Sequence, residues 1–232
     1  MSGAKQTWAV IDFQVGNPAF NMALDEALLE AAVTLGQPII RFYGWSRPAA
    51  TFGYFQSYQQ VSTWTPLRPL IRRPTGGGLV PHTADWTYSV IIPPGLEWYQ
   101  CSAVESYQRL HEWVSRALAT IGIETKLTPA TDPSGPGQCF VGAEKFDLLS
   151  GQTKIAGAAQ RRNKLGLLIQ GSIQPRPNWG DRDAWHHAMM QNGSKQGVSE
   201  AFQSFRTPVQ ILDRANHLTE QKYNQSSYLE RR

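Results

Sequence analysis

Cysteine is scarce in this chain: Cys101 and Cys139 are its two thiols in 232 residues, too few for a disulfide framework. A reducing cytoplasm is the expected setting, where a thiol stays available for chemistry. Long apolar runs are missing too. No stretch reaches eighteen apolar residues, so no transmembrane helix and no membrane association are expected. Met1 to Gln6 leads straight into strand-like Thr7 to Ile11, without the apolar core of a secretion signal. Basic blocks are absent. The formal net charge of +4 is a mild bias, whereas a nucleic-acid binder carries a denser basic stripe with interleaved aromatics. Nucleic acid is therefore not an expected partner, and an acidic protein or small molecule suits the charge. Repeats, low-complexity tracts and a break in composition are also lacking. One domain over 1–232 is expected, with a polar, frayed tail from about 220 to 232, and a monomer, since no added interface element is visible.

What is present is the material of a packed core: 41% hydrophobic residues and eight tryptophans. Thr7 to Asp12 reads as a strand. Asn17-Pro18 reads as a helix N-cap and first helical position, followed by Phe20, Ala23, Leu24, Ala27, Leu28 and Ala31 at helical spacing. Asp25, Glu26 and Glu30 fall opposite, as a solvated acidic face. Pro38 to Trp45, Thr51 to Gln56, Trp86 to Ile92, Lys145 to Ser150, Thr153 to Gln160 and Leu165 to Ile173 read as strands. Ser102 to Ile121 opens with a capping box at Ser102 and Glu105 and stops at Gly122; its His111 is expected to be partly buried. Asp181 to Met190 and Thr207 to Leu218 read as helices. Strands dominate the first two thirds with helices between them, which predicts an α+β fold: a mixed sheet with helices packed on one side.

Three features carry possible chemistry. The first is Ile71-Arg72-Arg73-Pro74-Thr75-Gly76-Gly77-Gly78-Leu79-Val80-Pro81-His82. Three glycines let a ligand approach the main chain closely, and exposed N–H groups beside two arginines make an anion or acyl-carbonyl cradle. Alone, the stretch reads first as a tight turn with solvated arginines, since glycine clusters usually punctuate loops. Gly53, inside a strand-like run, marks close approach by a ligand or another backbone. The second feature is Lys154, followed by Ile-Ala-Gly157-Ala158-Ala, small residues that let a slim chain lie beside it. The third is Cys139, on a glycine- and proline-rich loop ahead of that lysine. A thiol near a cationic lysine favours its thiolate and becomes a usable nucleophile. Cys101 reads as a small apolar filler.

Taken together, Asn21-Met22-Ala23-Leu24-Asp25-Glu26-Ala27, Arg41-Phe42-Tyr43-Gly44-Trp45, Gly53-Tyr54-Phe55-Gln56, the arginine–glycine stretch to His82, and Lys154-Ile155-Ala156-Gly157-Ala158-Ala159-Gln160 resemble the lipoate–protein ligase and octanoyltransferase family. The resemblance runs from the first helix to Ile173. It implies the mixed sheet flanked by helices shared with biotin–protein ligases and class II synthetases. It also implies an octanoyl or lipoyl chain lying in a tunnel beside the glycines, and Lys154 as the active-site lysine. Gln138-Cys139-Phe140 falls where the cysteine-dependent octanoyltransferases and lipoyl-domain amidotransferases carry their nucleophile, and the residues after Ile173 leave little room for the accessory domain of many ligases.

The implied reaction is transfer of the acyl group to the target lysine of a lipoyl domain, in a 2-oxoacid dehydrogenase or the glycine cleavage H protein, through a Cys139 thioester. Acyl carrier protein is the implied donor. No metal and no tightly bound cofactor are expected; ATP and Mg would enter only if the chain were instead an ATP-dependent lipoate ligase. A non-catalytic acyl-binding protein is the remaining alternative. Arg72 and Arg73 are candidates for the donor's phosphates, Gly53, Gly76, Gly77, Gly78, Gly157 and Ala158 for the tunnel wall, and His82 for shaping the pocket. Three positions depart from the family. Thr83 follows His82 where an aspartate is common, with Asp85 two further on. Gly78 stands where the cysteine branch often has arginine. Val141-Gly142 follows Phe140 where that branch commonly has an acidic residue. These departures leave the donor open.

Overall fold

The alternation of apolar residues along the strands decides the layering. Val10, Ile40, Val90, Ile92, Leu167 and Ile169 fall in one core cluster, while Ala9, Ile11, Ile39, Ile91 and Leu168, their neighbours in sequence, fall in another. A sheet with two apolar faces must be covered on both. The computed structural model describes residues 6–131, 140, 142–175, 179–195 and 201–231. Its elements in chain order are β1 (Thr7–Gly16), α1 (Pro18–Leu35), β2 (Ile39–Trp45), β3 (Ala49–Phe52), α2 (Tyr58–Val61), β4 (Leu70–Arg72), β5 (Val80–His82), β6 (Trp86–Ile92), α3 (Glu97–Gln100), α4 (Ala103–Thr120), β7 (Lys126–Leu127), β8 (Leu148–Ser150), β9 (Thr153–Asn163), β10 (Gly166–Ile173), α5 (Arg182–Lys195), β11 (Ala201–Ser204), α6 (Val209–Leu218) and α7 (Ser226–Leu229), with a π-turn at Thr219–Tyr223 before the last.

Eight strands form the main sheet in the order β11-β1-β2-β6-β10-β9-β8-β7. β11, β1 and β2 run parallel; from β2 to β6 and onward each pair is antiparallel. A small sheet, β4-β3-β5, stands apart from it. Helices α4 and α5 cover one face around Trp113, whose ring meets Trp8 and Trp98 edge-on and whose indole N–H donates to the Met189 carbonyl. Helices α1 and α6 cover the other face through Leu24, Leu28, Ile211 and Ala215. The expected mixed sheet with flanking helices is present, but the helices lie on both faces rather than one, because both faces are apolar. Among the described residues no helix is long and apolar enough to cross a membrane.

Local signals set the helix ends. The Asn17 side chain accepts from the Ala19 N–H, Pro18 starts α1, and Gly36 in the left-handed region closes it. Ser102 and Glu105 form the reciprocal capping box of α4. Two expectations are corrected. Asp25 and Glu26 are buried, not solvated, because each meets cations from elsewhere in the fold. The segment from 220 onward is packed rather than frayed, down to Arg231. Tyr223 is fully buried and donates to Glu26, which also holds Lys222 and Arg161. Burial pushes the Glu26 carboxyl up, but Lys222, Tyr223 and Arg161 outweigh it and hold the group below the usual range.

Candidate active site

β4 and β5 are joined by the glycine stretch, and β9 and β10 run beside it. Between them lies a cavity of about 320 Å3, lined by Gly77 and Gly78 of the glycine stretch, by Gly157, Ala158 and Lys154 of β9, and by His82 of β5. Gly53 does not face this space. A Cβ there would stand 1.8 Å from the Gly77 carbonyl oxygen, so its close approach is to the backbone that forms the cavity wall. β3 ends at Phe52, before the expected strand does, and Gly53 to Gln56 turn back on themselves, with the Gln56 N–H donating to the Gly53 carbonyl. Gly77 takes φ 80°, which favours glycine. Gly76 contributes its carbonyl to Arg73.

The two arginines part company. Arg73 lines the cavity, donating to Gly76 and to the Thr51 hydroxyl. Arg72 points away. Its Nε donates to the Tyr228 carbonyl, Nη1 to those of Tyr54 and Gln56, and Nη2 to those of Leu229 and Arg231. A guanidinium has five N–H donors, and all five are spent, so the expectation that Arg72 binds a donor's phosphate is corrected. It clamps the C-terminal segment onto the turn behind the glycines.

On β5, the His82 ring stacks on Trp45 with centroids 3.8 Å apart. Nδ1 pairs with Asp85 at 2.8 Å and Nε2 with the Thr51 hydroxyl at 2.9 Å. Asp85 thus reaches His82 although Thr83 occupies the adjacent position, and its Oδ2 also accepts from Thr87 and Ser172. Both ring nitrogens are engaged by protein groups. The His111 ring, by contrast, is fully buried on α4, and burial pushes its pKa down to about 4.

Under the cavity floor sits a charged group that the sequence pattern assigned to solvent. Asp25 Oδ1 accepts from Arg41 and Ser89, and Oδ2 from Gln170 and Tyr43. Gln170 in turn accepts from Thr75, the residue before the glycines. One buried carboxylate thereby ties α1, β2, β6 and β10 to the cavity wall. A signal existed: Arg41 sits among Ile39, Ile40, Phe42 and Tyr43 in a strand, and a buried guanidinium needs a buried acid.

On the β9 side, Lys154 Nζ lies 2.6 Å from Asp147 Oδ2, with the lysine side chain 8% exposed and the aspartate 0%. Nζ also donates to the Gly142 carbonyl at 3.3 Å and sits 5.3 Å from the centre of the Phe140 ring. Gly142 and Phe140 both line the cavity. Cys139 lies outside the described residues, as does most of the loop before it; Cys101 is half-buried at the end of α3, away from the residues lining this space. Sequence reasoning found Lys154 and missed Asp147, which it read as part of a short strand.

Comparison with known proteins adds to this geometry. Residues 17–225 match the profile of the lipoyl protein ligase A/B catalytic domain. Octanoyltransferase LipM of Bacillus subtilis (strain 168) is 34% identical over 185 residues, covering 73% of this chain and 66% of that protein. Octanoyltransferase LipM of Anoxybacillus flavithermus (strain DSM 21510 / WK1) is 35% identical over 182 residues, again 73% and 66%. The chain spans just under two thirds of the length of these relatives. The crystal structure of lipoate-protein ligase A bound with ATP superposes with a TM-score of 0.79 at 20% identity, over 97% of this chain and 98% of that one. The bipartite lipoate protein ligase of Thermoplasma acidophilum does so at 0.73 and 18%, over 97% and 96%. At such identities the superpositions establish a shared fold.

Proposed function

We propose that this chain, which belongs to the lipoyl protein ligase A/B catalytic-domain family, transfers an octanoyl group to the target lysine of a lipoyl domain through a thioester on Cys139. The observation that carries the reading is the Lys154 ammonium, buried in the wall of the cavity, with the ring of Phe140, the residue after Cys139, beside it. The LipM relatives support the acyl class. The cavity lies at the low end of small-molecule site volumes, and Met22, Val80, Gly157 and Ala158 line it with little polarity, which suits a slim alkyl chain.

The reaction runs as two transfers. The Cys139 thiolate attacks the thioester carbonyl of an octanoyl carrier. A new S–C bond forms, the carrier's C–S bond breaks, and the carrier leaves as a thiolate that takes up a proton. The acceptor lysine's neutral amine then attacks the enzyme thioester. A C–N bond forms, the bond to Cys139 breaks, and the amine proton passes to solvent or the departing thiolate. In both steps the carbonyl oxygen gains negative charge, and Lys154 donates a hydrogen bond to it; one such donor is worth about 10²–10³ in rate. Arg73, at the cavity wall, is left as the arginine for the donor's phosphate. Acyl carrier protein fits as donor, and lipoyl domains of 2-oxoacid dehydrogenases or the glycine cleavage H protein as acceptors. This chemistry needs no bound cofactor and suits a reducing cytoplasm, which keeps Cys139 a thiol.

Incubation with octanoyl-acyl carrier protein tests the reading by intact-protein mass. Wild type gains an octanoyl adduct that hydroxylamine removes and a lipoyl domain accepts; Cys139→Ala gains none and transfers nothing. Lipoylation from free lipoate and ATP that survives Cys139→Ala would replace this reading with a ligase, and tight octanoyl binding without turnover from either donor with a binding protein.

A further inference from the structure

The carboxylate behind Lys154 is held more firmly than a passive counter-ion requires. Asp147 is fully buried. Its Oδ1 accepts from the Tyr107 hydroxyl of α4 at 2.5 Å, and that hydroxyl also accepts from the Ala158 N–H of β9 at 3.2 Å. Its Oδ2 accepts from the Glu144 N–H at 2.6 Å and from Lys154 at 2.6 Å. Its own carbonyl takes both the N–H and the hydroxyl of Thr128. The residue before it, Phe146, stands at φ 74°, in the left-handed region that side chains other than glycine, asparagine and aspartate rarely enter. Such strain persists where the surroundings over-determine a position, and it clusters at functional sites. Room for the pair is reserved as well. A Cβ at Gly157 would come within 3.1 Å of both Asp147 Oδ1 and Lys154 Cε. A buried ion pair is a poor stabilising device, since apolar residues of the same volume do as well or better. The fold therefore maintains this one for another reason.

We propose that Asp147, anchored by Tyr107, is the positioning residue of Lys154: it aims the ammonium so that, with Asp147 and the Gly142 carbonyl taking two N–H groups, the third meets the acyl carbonyl oxygen. The inference rests on the reading of Lys154 as the oxyanion donor. It adds a division of labour. The carboxylate fixes the direction of a flexible four-carbon side chain and offsets its charge, so that donation is directional.

The test is Asp147→Asn, which keeps the shape and removes the charge. With octanoyl-acyl carrier protein and a lipoyl domain, kcat falls about 100-fold, the scale of a lost oxyanion donor, while KM for the donor is unchanged. At the same time the pH profile of Cys139 alkylation by iodoacetamide moves to lower pH, because the lysine's positive charge is no longer compensated. The other titratable groups around the pair are Tyr107 and His111 on α4, Tyr88 on β6 and Glu144 before β8; the Asp147 charge raises the pKa of Tyr88 and of His111, so its removal lowers both, and His111, already near 4, stays neutral. A thiol that is more reactive yet an enzyme that is slower is an outcome that loss of stability alone does not produce. Wild-type kcat, or a lowered Tm with an unmoved alkylation profile, overturns the proposal. If Asp147→Asn fails to fold, Tyr107→Phe takes its place. It leaves the ion pair and removes one anchor, with kcat expected to fall by about tenfold, and unchanged kcat there overturns the proposal too. Activity of Cys139→Ala in the same assay would remove the reading beneath it, and so is distinguishable from failure at Asp147.

Discussion

Adding one carbon atom at Gly53 tests how the cavity wall is built. The Cβ of Gly53→Ala would stand 1.8 Å from the Gly77 carbonyl oxygen, 2.8 Å from its carbon and 3.0 Å from the Gly76 carbonyl carbon. Real Cβ contacts stay beyond 3.0 Å, so either the glycine stretch or the turn at 53–56 must move by about 1.2 Å. Neither yields readily. The Tyr54 N–H donates to the Thr75 carbonyl, Arg72 holds the carbonyls of Tyr54 and Gln56, and Thr75 is tied through Gln170 to Asp25. Overpacking of this kind costs about 1–3 kcal/mol, or a Tm lower by roughly 3–10 °C. The larger effect falls on function, since Gly77 and Gly78 line the cavity and a misplacement of about 1 Å can cost on the order of 10²-fold in rate. Octanoyl transfer from the carrier protein and thermal unfolding by circular dichroism are the paired assays. The control is Gly76→Ala, one residue from Gly77. Nothing lies within 4 Å of its Cβ and its φ is not positive, so both activity and Tm stay close to wild type. Wild-type transfer and Tm in Gly53→Ala, or equal damage from the two substitutions, would refute the reasoning.

Arg72→Lys replaces five donors with three, so two of the hydrogen bonds to these carbonyls are lost, for a cost of about 3 kcal/mol given the strength of hydrogen bonds from charged groups. Limited proteolysis should then cut within 220–231, and an unchanged digestion pattern counts against the clamp. Burial holds His111 at about 4 against its usual 6.5. The unfolded chain therefore binds a proton that the folded one refuses, and stability falls as pH drops from 6.5 towards 4, by about 3 kcal/mol from this group. Urea titrations across that range should show a shallower loss for His111→Phe, and an identical slope excludes the assignment. Ser102→Ala removes one half of the α4 capping box and should cost about 1 kcal/mol in the same titrations.

The cavity's wall, its lysine and most of the elements around it are legible in the sequence, because their signals are local. Asn17-Pro18 and Ser102 to Glu105 announce helix starts through groups two and three residues away. Three consecutive glycines announce a main chain that a ligand can approach closely, and Lys154 among small residues announces a charged group beside a slim space. What the chain alone left ambiguous was the fate of each charge. Arg72 and Arg73 are adjacent and chemically identical, yet one faces the cavity and the other grips Tyr228, 156 positions along the chain. Asp25 and Glu26 share a helix with an ordinary polar face; their burial follows from Arg41 on β2 and Lys222 in the tail. Asp147 reads as a residue in a short strand until α4 brings Tyr107 to one oxygen and β9 brings Lys154 to the other. Periodicity, caps and turns act over a few residues, so sequence by itself determined the elements and the outline of the site. A buried charge is tolerated only where a distant partner meets it, so which ions stand at the chemistry and which hold the frame was decided by the tertiary structure.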